Sequence, residues 1–295
     1  MKTNHQQHPV NLSNPLCTAL FAVFVLVLLA NGLAHADNIY VSCYSDGTIA
    51  KFDSSGNGST FASGLNNPVG LAFDSSGNLY AGTANSKIEK INSIGNWSTF
   101  ASMSGNPSGL AFDSSGNLYA TCFASSTITK FNSSGNGAIF ASGLSSPQGL
   151  AFDSSGYLYA ANYTSGAITK FNSSGNGSFF ASGGYSIVGL AFDTSGNLYV
   201  ANYYDGTIAK FDLSRNKTIF ASGLIHPCGL AFDTSGNLYV ANQGNGTITK
   251  LDSSGNGYIF ASGLASPTFI ATLVPEPATL LLLGLGAAIV RKRHR

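Results

Sequence analysis

Seven times the chain places an Asp before Ser or Thr, then Ser and Gly: at Asp53, Asp74, Asp113, Asp153, Asp193, Asp233 and Asp252. A carboxylate in a glycine turn invites calcium, but that ion gathers several oxygen donors and each turn offers one carboxylate. The pattern reads as structure instead: the Asp side chain accepts N–H bonds across its own turn, and Gly supplies a positive φ. Asn132 and Asn172 stand at matching places. An amide can accept those bonds and cannot replace a charge.

Other reactive chemistry is sparse. His226 is the one histidine between residues 37 and 273, and with Cys17 in the leader the remaining thiols are Cys43, Cys122 and Cys228. No spacing matches a zinc site. Cys43 and Cys122 hold equivalent positions two repeats apart, too far for a disulfide, so buried thiols are expected. No acid, histidine and metal-ligand combination gathers at one place. The sequence therefore assigns no catalytic residue, no metal and no cofactor, and makes an enzyme the less favoured reading.

The best binding constellation is amide and aromatic. Asn162, Asn202 and Asn242 recur one per repeat, followed by Tyr163, by Tyr203 and Tyr204, and by Gln243. Amides exchange paired hydrogen bonds with hydroxyls, and aromatic faces cover the apolar side of a sugar ring. The implied partner is an uncharged polyhydroxylated molecule such as an exopolysaccharide; the alternative, which the residues favour, is that each Asn caps its strand end and each Tyr packs on the rim.

Such residues need a frame that returns equivalent positions to one place. Gly-Leu-Ala-Phe-Asp begins at Gly70, Gly109, Gly149, Gly189 and Gly229, a period of 39 to 40 residues. Each period holds four short apolar runs, for example 149–152, 158–161, 168–171 and 179–181, divided by Ser, Gly and Asn clusters that leave no room for an ordinary helix. Runs apolar on both faces belong to sheets covered on both sides. Four strands per roughly 40 residues, stacked sheet on sheet, predict an all-β propeller.

Ile-x-Lys, the third-strand motif, occurs at Ile49, Ile88, Ile128, Ile168, Ile208 and Ile248, which sets six blades. Residues 267–273 fall where a sixth Pro-x-Gly-Leu-Ala-Phe-Asp belongs, and Asn38-Ile39-Tyr40-Val41 reads as a second strand. The N- and C-terminal strands should thus close the ring in one shared blade, leaving no open seam. By register, one mouth receives the residues before the Gly, namely Val69, Ser108, Gln148, Val188, Cys228 and Thr268. It also receives the second-strand ends Cys43, Thr83, Cys122, Asn162, Asn202 and Asn242. Lys51, Lys90, Lys130, Lys170, Lys210 and Lys250 are expected to solvate the outer part of the blades.

The order Pro-x-Gly-apolar-Ala-apolar-Asp, Gly-x-Leu-Tyr-Val, then Ile-x-Lys-Phe resembles NHL-type propeller repeats over residues 37–273. The architecture is shared with gluconolactonase-like hydrolases, virginiamycin-lyase-like proteins and non-catalytic binding propellers. In the lactonase-like group the resemblance implies acidic or amide metal ligands just before the first-strand Gly, where this chain has no carboxylate. A surface or matrix binding module is the preferred reading, with a lactonase- or lyase-like enzyme as the alternative.

Charged residues make up 9% of the chain against about 25% in ordinary soluble domains. Between residues 37 and 273 nine Lys/Arg face twelve Asp/Glu, a net of −3. A weakly acidic body without a basic patch excludes nucleic acid as an expected partner.

The ends carry targeting signals. An apolar run over 16–30 and Ala34-His35-Ala36 read as a leader, residues 1–36, cut by signal peptidase. Residues 274–295 hold Pro275-Glu276-Pro277, an apolar run over 278–290 and a basic end, Arg291-Lys292-Arg293-His294-Arg295. That order resembles the PEP-CTERM sorting tail processed by an exosortase-type enzyme. Its 13 apolar residues would cover about 20 Å as a helix, short of a bilayer core of about 30 Å, which suits transient membrane anchoring. An apolar helix at each end and delivery to the outer surface or matrix of a Gram-negative bacterium are the expectations.

Overall fold

Six antiparallel sheets of four strands each stand around a central axis in the computed structural model, which describes residues 37–273. Five blades are continuous in the chain, over 68–102, 107–141, 147–182, 187–221 and 227–261. In the third of them the strands are Pro147–Phe152, Leu158–Asn162, Ala167–Phe171 and Gly177–Ser182, paired in that order. The sixth blade takes its first strand, Pro267–Leu273, from the far end and its other three, Asn38–Cys43, Thr48–Phe52 and Gly58–Ala62, from the near end. Asn38 pairs with Leu273, Tyr40 with Ala271 and Val41 with Ile270, so main-chain pairing seals the ring as expected.

First strands are innermost, each packed against the first strands of both neighbouring blades. The repeated Gly allows that approach. A Cβ on Gly149 would strike the Val188 carbonyl oxygen of the next blade, and one on Gly109 would strike that of Gln148. In the sixth blade Phe269 stands in place of Gly, and its N–H donates to Ser42 Oγ at 2.9 Å. First and second strands also slip in register at this point, as between Pro147 and Leu150. A bulge of that kind re-aims a side chain, here the one before the Gly.

Second strands are buried from end to end, which is why they are apolar on both faces. The Tyr159 ring sits edge-on between Phe180 of its own fourth strand, at 5.0 Å, and Phe192 of the next blade, at 4.9 Å. The same triplet forms around Tyr40, Tyr80, Tyr119 and Tyr199. Each edge-on pair adds about 0.5–1.5 kcal/mol beyond area burial. At the closing junction Tyr239 keeps only Phe260, and Thr272 instead donates its hydroxyl to the Phe232 carbonyl at 3.0 Å.

The expected leader, the sorting tail and their apolar helices lie outside the described residues. Among the described residues no helix is long and apolar enough to cross a membrane.

Candidate functional site

Hairpins joining strand one to two and strand three to four share one face of the ring, called here the turn face. The starts of the first strands and the ends of the second strands open on the other, the mouth. There the bulged residues Val69, Ser108, Gln148, Val188, Cys228 and Thr268 form an inner ring. Residues just past the second strands, Tyr44, Ala84, Phe123, Tyr163, Tyr203 and Gln243, form a second ring around it. With Asn106, Tyr204 and Phe269 they enclose a pocket of about 500 Å³, within the range of small-molecule sites. No charged side chain lines it.

The expected site residues divide between pocket and scaffold. Tyr163, Tyr203 and Tyr204 line the pocket, whereas Asn162, Asn202 and Asn242 end the strands behind it, 3%, 1% and 2% exposed. Asn162 Oδ1 accepts the Ser145 N–H at 3.0 Å, and its Nδ2 donates to the Ala167 carbonyl at 3.0 Å and Thr169 Oγ1 at 2.9 Å. Asn202 and Asn242 donate to Thr207 and Thr247 Oγ1, each at 3.1 Å. Tyr163, Tyr203 and Gln243 are the first residues past these strand ends, so the amides hold the bases from which the mouth side chains project. Tyr44 and Phe123, not singled out in the sequence, complete the aromatic part; carrying the Tyr163 position around the repeat finds both. Phe123 meets Tyr163 edge-on at 6.0 Å.

One wall of the mouth concentrates the remaining chemistry. Tyr203 stacks flat on His226, with ring centroids 4.5 Å apart and planes 10° apart, and donates its hydroxyl to Gln243 Oε1 at 2.9 Å. Tyr204 stands edge-on to both rings. His226 has a left-handed backbone, φ 51°, as do Asn67, Ser146, Ser186 and Ser266 at the equivalent turns, so the conformation belongs to the turn and the imidazole is the addition. Burial pushes the Tyr203 phenol up, and it stays protonated as a donor. Burial also pushes the Cys228 thiol up to about 12; protonated, it donates to the His226 carbonyl at 3.5 Å and offers no thiolate nucleophile. The three thiols are unbridged and buried, as expected. Among the described residues no three His, Cys, Asp or Glu gather to hold a metal.

The turn face is built differently. Asp74 Oδ1 accepts the N–H groups of Ser76 at 3.0 Å and Asn78 at 2.8 Å, and Gly77 has φ 79°, as the turn reading requires. Asn132 makes the same two bonds, both at 3.0 Å. The lysines do more than solvate the blades. Lys130 Nζ lies 5.0 Å over the Tyr119 ring and 3.5 Å from Asp113 Oδ2, and Tyr119 donates to that carboxylate at 3.2 Å. The Asp–Lys pair recurs in five blades and fails in the sixth, where Leu273 stands in the Asp position.

Residues 273–295 match the PEP-CTERM protein-sorting motif, which marks the chain for export, surface sorting and processing by an exosortase-type enzyme. No curated protein matches the chain. Among solved structures, virginiamycin B lyase from Staphylococcus aureus matches at TM-score 0.63 and 17% identity, over 79% of this chain and 84% of that one. A catalytically inactive His-to-Ala variant of virginiamycin B lyase from Staphylococcus aureus, with quinupristin, matches at TM-score 0.62 and 15% identity, over 81% and 93%. A chain of a nidogen–laminin complex matches at TM-score 0.72 and 17% identity, over 81% and 98%. At these identities the likeness is one of fold, and it is a fold on which lyases are built. The expectation against an enzyme is corrected accordingly: a mouth without an acid, histidine and metal set is no ground for excluding catalysis on this frame.

Proposed function

We propose that the mouth is the working site of an exported lyase- or lactonase-like propeller that takes an uncharged, ring-bearing molecule. The observation that carries this reading is the charge-free aromatic pocket with His226 stacked behind Tyr203. Tyr163, Tyr203 and Tyr204 grip the ring by its faces, Gln148 and Gln243 read its polar groups, and His226 is the proton carrier, the usual role of an imidazole in such chemistry. Support comes from the lyases of the same fold, one of which is inactive when a histidine is replaced by alanine. The repeats are read as NHL-like, the leader as removed by signal peptidase after Ala36, and the tail as cut near Pro275-Glu276-Pro277 in a Gram-negative host.

The test is turnover of a panel of neutral lactones and cyclic depsipeptides by the full chain. Ring opening is expected, with a loss of at least 100-fold in kcat for His226→Ala at unchanged thermal stability. Absence of turnover across the panel, or full activity in the variant, would remove the catalytic reading. A second reading, polysaccharide binding without chemistry, is favoured by the amide and aromatic lining. Retardation of the chain in gels containing neutral glycan, lost in Tyr163→Ala, would support it.

A further inference from the structure

Of the six equivalent turns that lead into the first strands, one is built differently. In five, the residue before the strand holds the left-handed backbone: Asn67, Ser146, Ser186, His226 and Ser266. In the turn before Pro107–Phe112 that conformation passes to Gly105, with φ 104°, and Asn106 is released from it. Glycine is needed there for space as well, since a Cβ on Gly105 would strike Cys122 Sγ. Among these six described positions Asn106 alone reaches the pocket lining. Asn67, the other amide, is turned away and donates its Nδ2 to the Tyr44 carbonyl at 2.8 Å. In the same part of the mouth the second ring has Ala84 where its other members are Tyr, Phe or Gln, so an aromatic face is exchanged there for an amide.

The blades follow one another around the ring in chain order. Asn106 leads into the blade over 107–141 and Gln243 belongs to the one over 227–261, three places further round the six. The two amides therefore stand on opposite walls. Both are turned the same way. Gln243 Oε1 accepts the Tyr203 hydroxyl at 2.9 Å, and Asn106 Oδ1 accepts the Ser86 hydroxyl at 3.1 Å. An amide whose oxygen is engaged by the protein has its NH₂ donors left to offer.

We propose that Asn106 and Gln243 are specificity-determining residues of the mouth, donating from opposite walls to oxygen acceptors at the two ends of one neutral ligand. On the reading of the mouth as the working site, this names the substrate class: a neutral ring with carbonyl-type oxygens at both ends, in preference to a polyol. A carbonyl oxygen accepts without bringing a hydrogen of its own. A hydroxyl in its place brings one, and the amide oxygen it would meet is already engaged; a pocket selects against a polar group it leaves unpaired. Tyr163 and Tyr203 line the space between the two amides and supply faces for the ring.

Two neutral probes built on the same benzene ring test this. Tetramethylterephthalamide carries a carbonyl oxygen at each end and no donor; para-benzenedimethanol carries a hydroxyl at each end. Binding of each to the full chain in detergent solution is followed by saturation-transfer NMR titration. The diamide should bind at least about fivefold more tightly than the diol. Asn106→Leu and Gln243→Leu should each weaken the diamide by about fivefold or more, change the diol little, and leave the melting temperature unmoved. Ser86→Ala frees the Asn106 oxygen to turn toward the mouth and should narrow the preference at least about twofold, which a merely steric role of Asn106 would not do. Equal binding of the two probes, no measurable binding of the diamide, or a diamide affinity indifferent to both leucine variants would each overturn the proposal. Turnover of the lactone panel is a separate readout. Turnover without a preference between the probes would overturn this assignment and leave catalysis standing; the preference without turnover would support the assignment and remove catalysis.

Discussion

Equivalent positions on the two faces of the ring have been treated in opposite ways. On the turn face the same side chains return blade after blade: Asp113, Tyr119 and Lys130 are repeated as Asp153, Tyr159 and Lys170, and as Asp193, Tyr199 and Lys210. At the mouth the positions are equally equivalent, yet they hold Val69, Ser108, Gln148, Val188, Cys228 and Thr268, then Tyr44, Ala84, Phe123, Tyr163, Tyr203 and Gln243. A structural task repeated from blade to blade has one solution, and uniformity records it. A single ligand on the axis breaks the symmetry of the ring around it, and each blade contributes something different. Uniform positions should therefore cost stability when changed, and varied positions should cost function.

The largest stability effect should come from the uniform set. Tyr119 is 3% exposed, wedged between Phe140 at 4.9 Å and Phe152 at 5.2 Å, so its ring belongs to two blades at once. Tyr119→Ala should cost about 3–5 kcal/mol in urea unfolding. A loss under 1 kcal/mol would break the assignment of this triplet as the joint between blades.

Next comes the turn carboxylate. Asp113→Ala removes the acceptor for Ser115 and Asn117 N–H groups, at 3.0 and 2.8 Å, and should cost about 1–3 kcal/mol. Asp113→Asn keeps that acceptor and gives up Oδ2, which accepts from Asn117 Nδ2 at 2.9 Å and the Tyr119 hydroxyl at 3.2 Å and pairs with the partly exposed Lys130, so a smaller loss of about 0.5–1.5 kcal/mol is expected. If the two variants were equally unstable, the charge and not the turn would be the reason for Asp.

Acid and alkali should both loosen the turn face. Burial alone would raise the Asp113 carboxyl, but bonds from Asn117 and the Lys130 charge bring it below the ordinary range; Asp193 behaves likewise with Asn197, Tyr199 and Lys210. A depressed carboxyl stabilises the fold above its unfolded pKa, about 3.9, and that share is lost as pH falls through the folded value. The lysines shift the other way: the Tyr119 hydroxyl raises Lys130 and that of Tyr199 raises Lys210, against burial. Their share is complete below the unfolded lysine pKa, about 10.4, and is lost as pH rises through the folded value. Melting temperature against pH should be flat between these limits, and a fall centred near neutrality would point to other groups.

The architecture was legible because a repeat shows its period directly, and because closure left two matching fragments, 38–41 and 267–273, at opposite ends of the chain. The inner ring of the mouth was legible too, since the Gly beside it marks where neighbouring first strands touch. In the second ring the pocket-lining residues lie one position past the strand-end Asn residues. In a strand buried on both faces, apolar and polar residues do not alternate, so nothing in Leu158–Asn162 tells which side Asn162 faces; only the hydrogen bonds to Ser145, Ala167 and Thr169 settle it. The lysine clusters were hidden differently. Their signal, Asp, Tyr and Lys at fixed offsets, was present in each repeat, but three charged or polar residues on separate strands look like solvated surface until the sheet brings them together.

The smallest stability effect, and the sharpest contrast, is expected at the mouth. Tyr163 is half-buried, with one edge contact to Phe123 and open space on the pocket side. Tyr163→Ala removes a ring whose aromatic contact with a neighbouring blade is the one edge contact to Phe123, and Asn162 behind it keeps its own bonds, so unfolding should shift by only about 1 kcal/mol. The same ring is one of the few large faces a ligand can lie on, and hot spots concentrate in such aromatic anchors. Affinity for a neutral ring-bearing ligand, measured by calorimetry on one that the wild-type chain binds, should fall at least tenfold, and Tyr163→Phe should recover most of it if the face, not the hydroxyl, is what counts. Full rescue by Phe would assign the mouth to stacking. Failure of Phe to rescue would assign it to the phenol hydroxyl instead. A Tyr163→Ala variant that lost stability and kept its affinity would invert the contrast between the two faces, since a varied position would then be serving the fold.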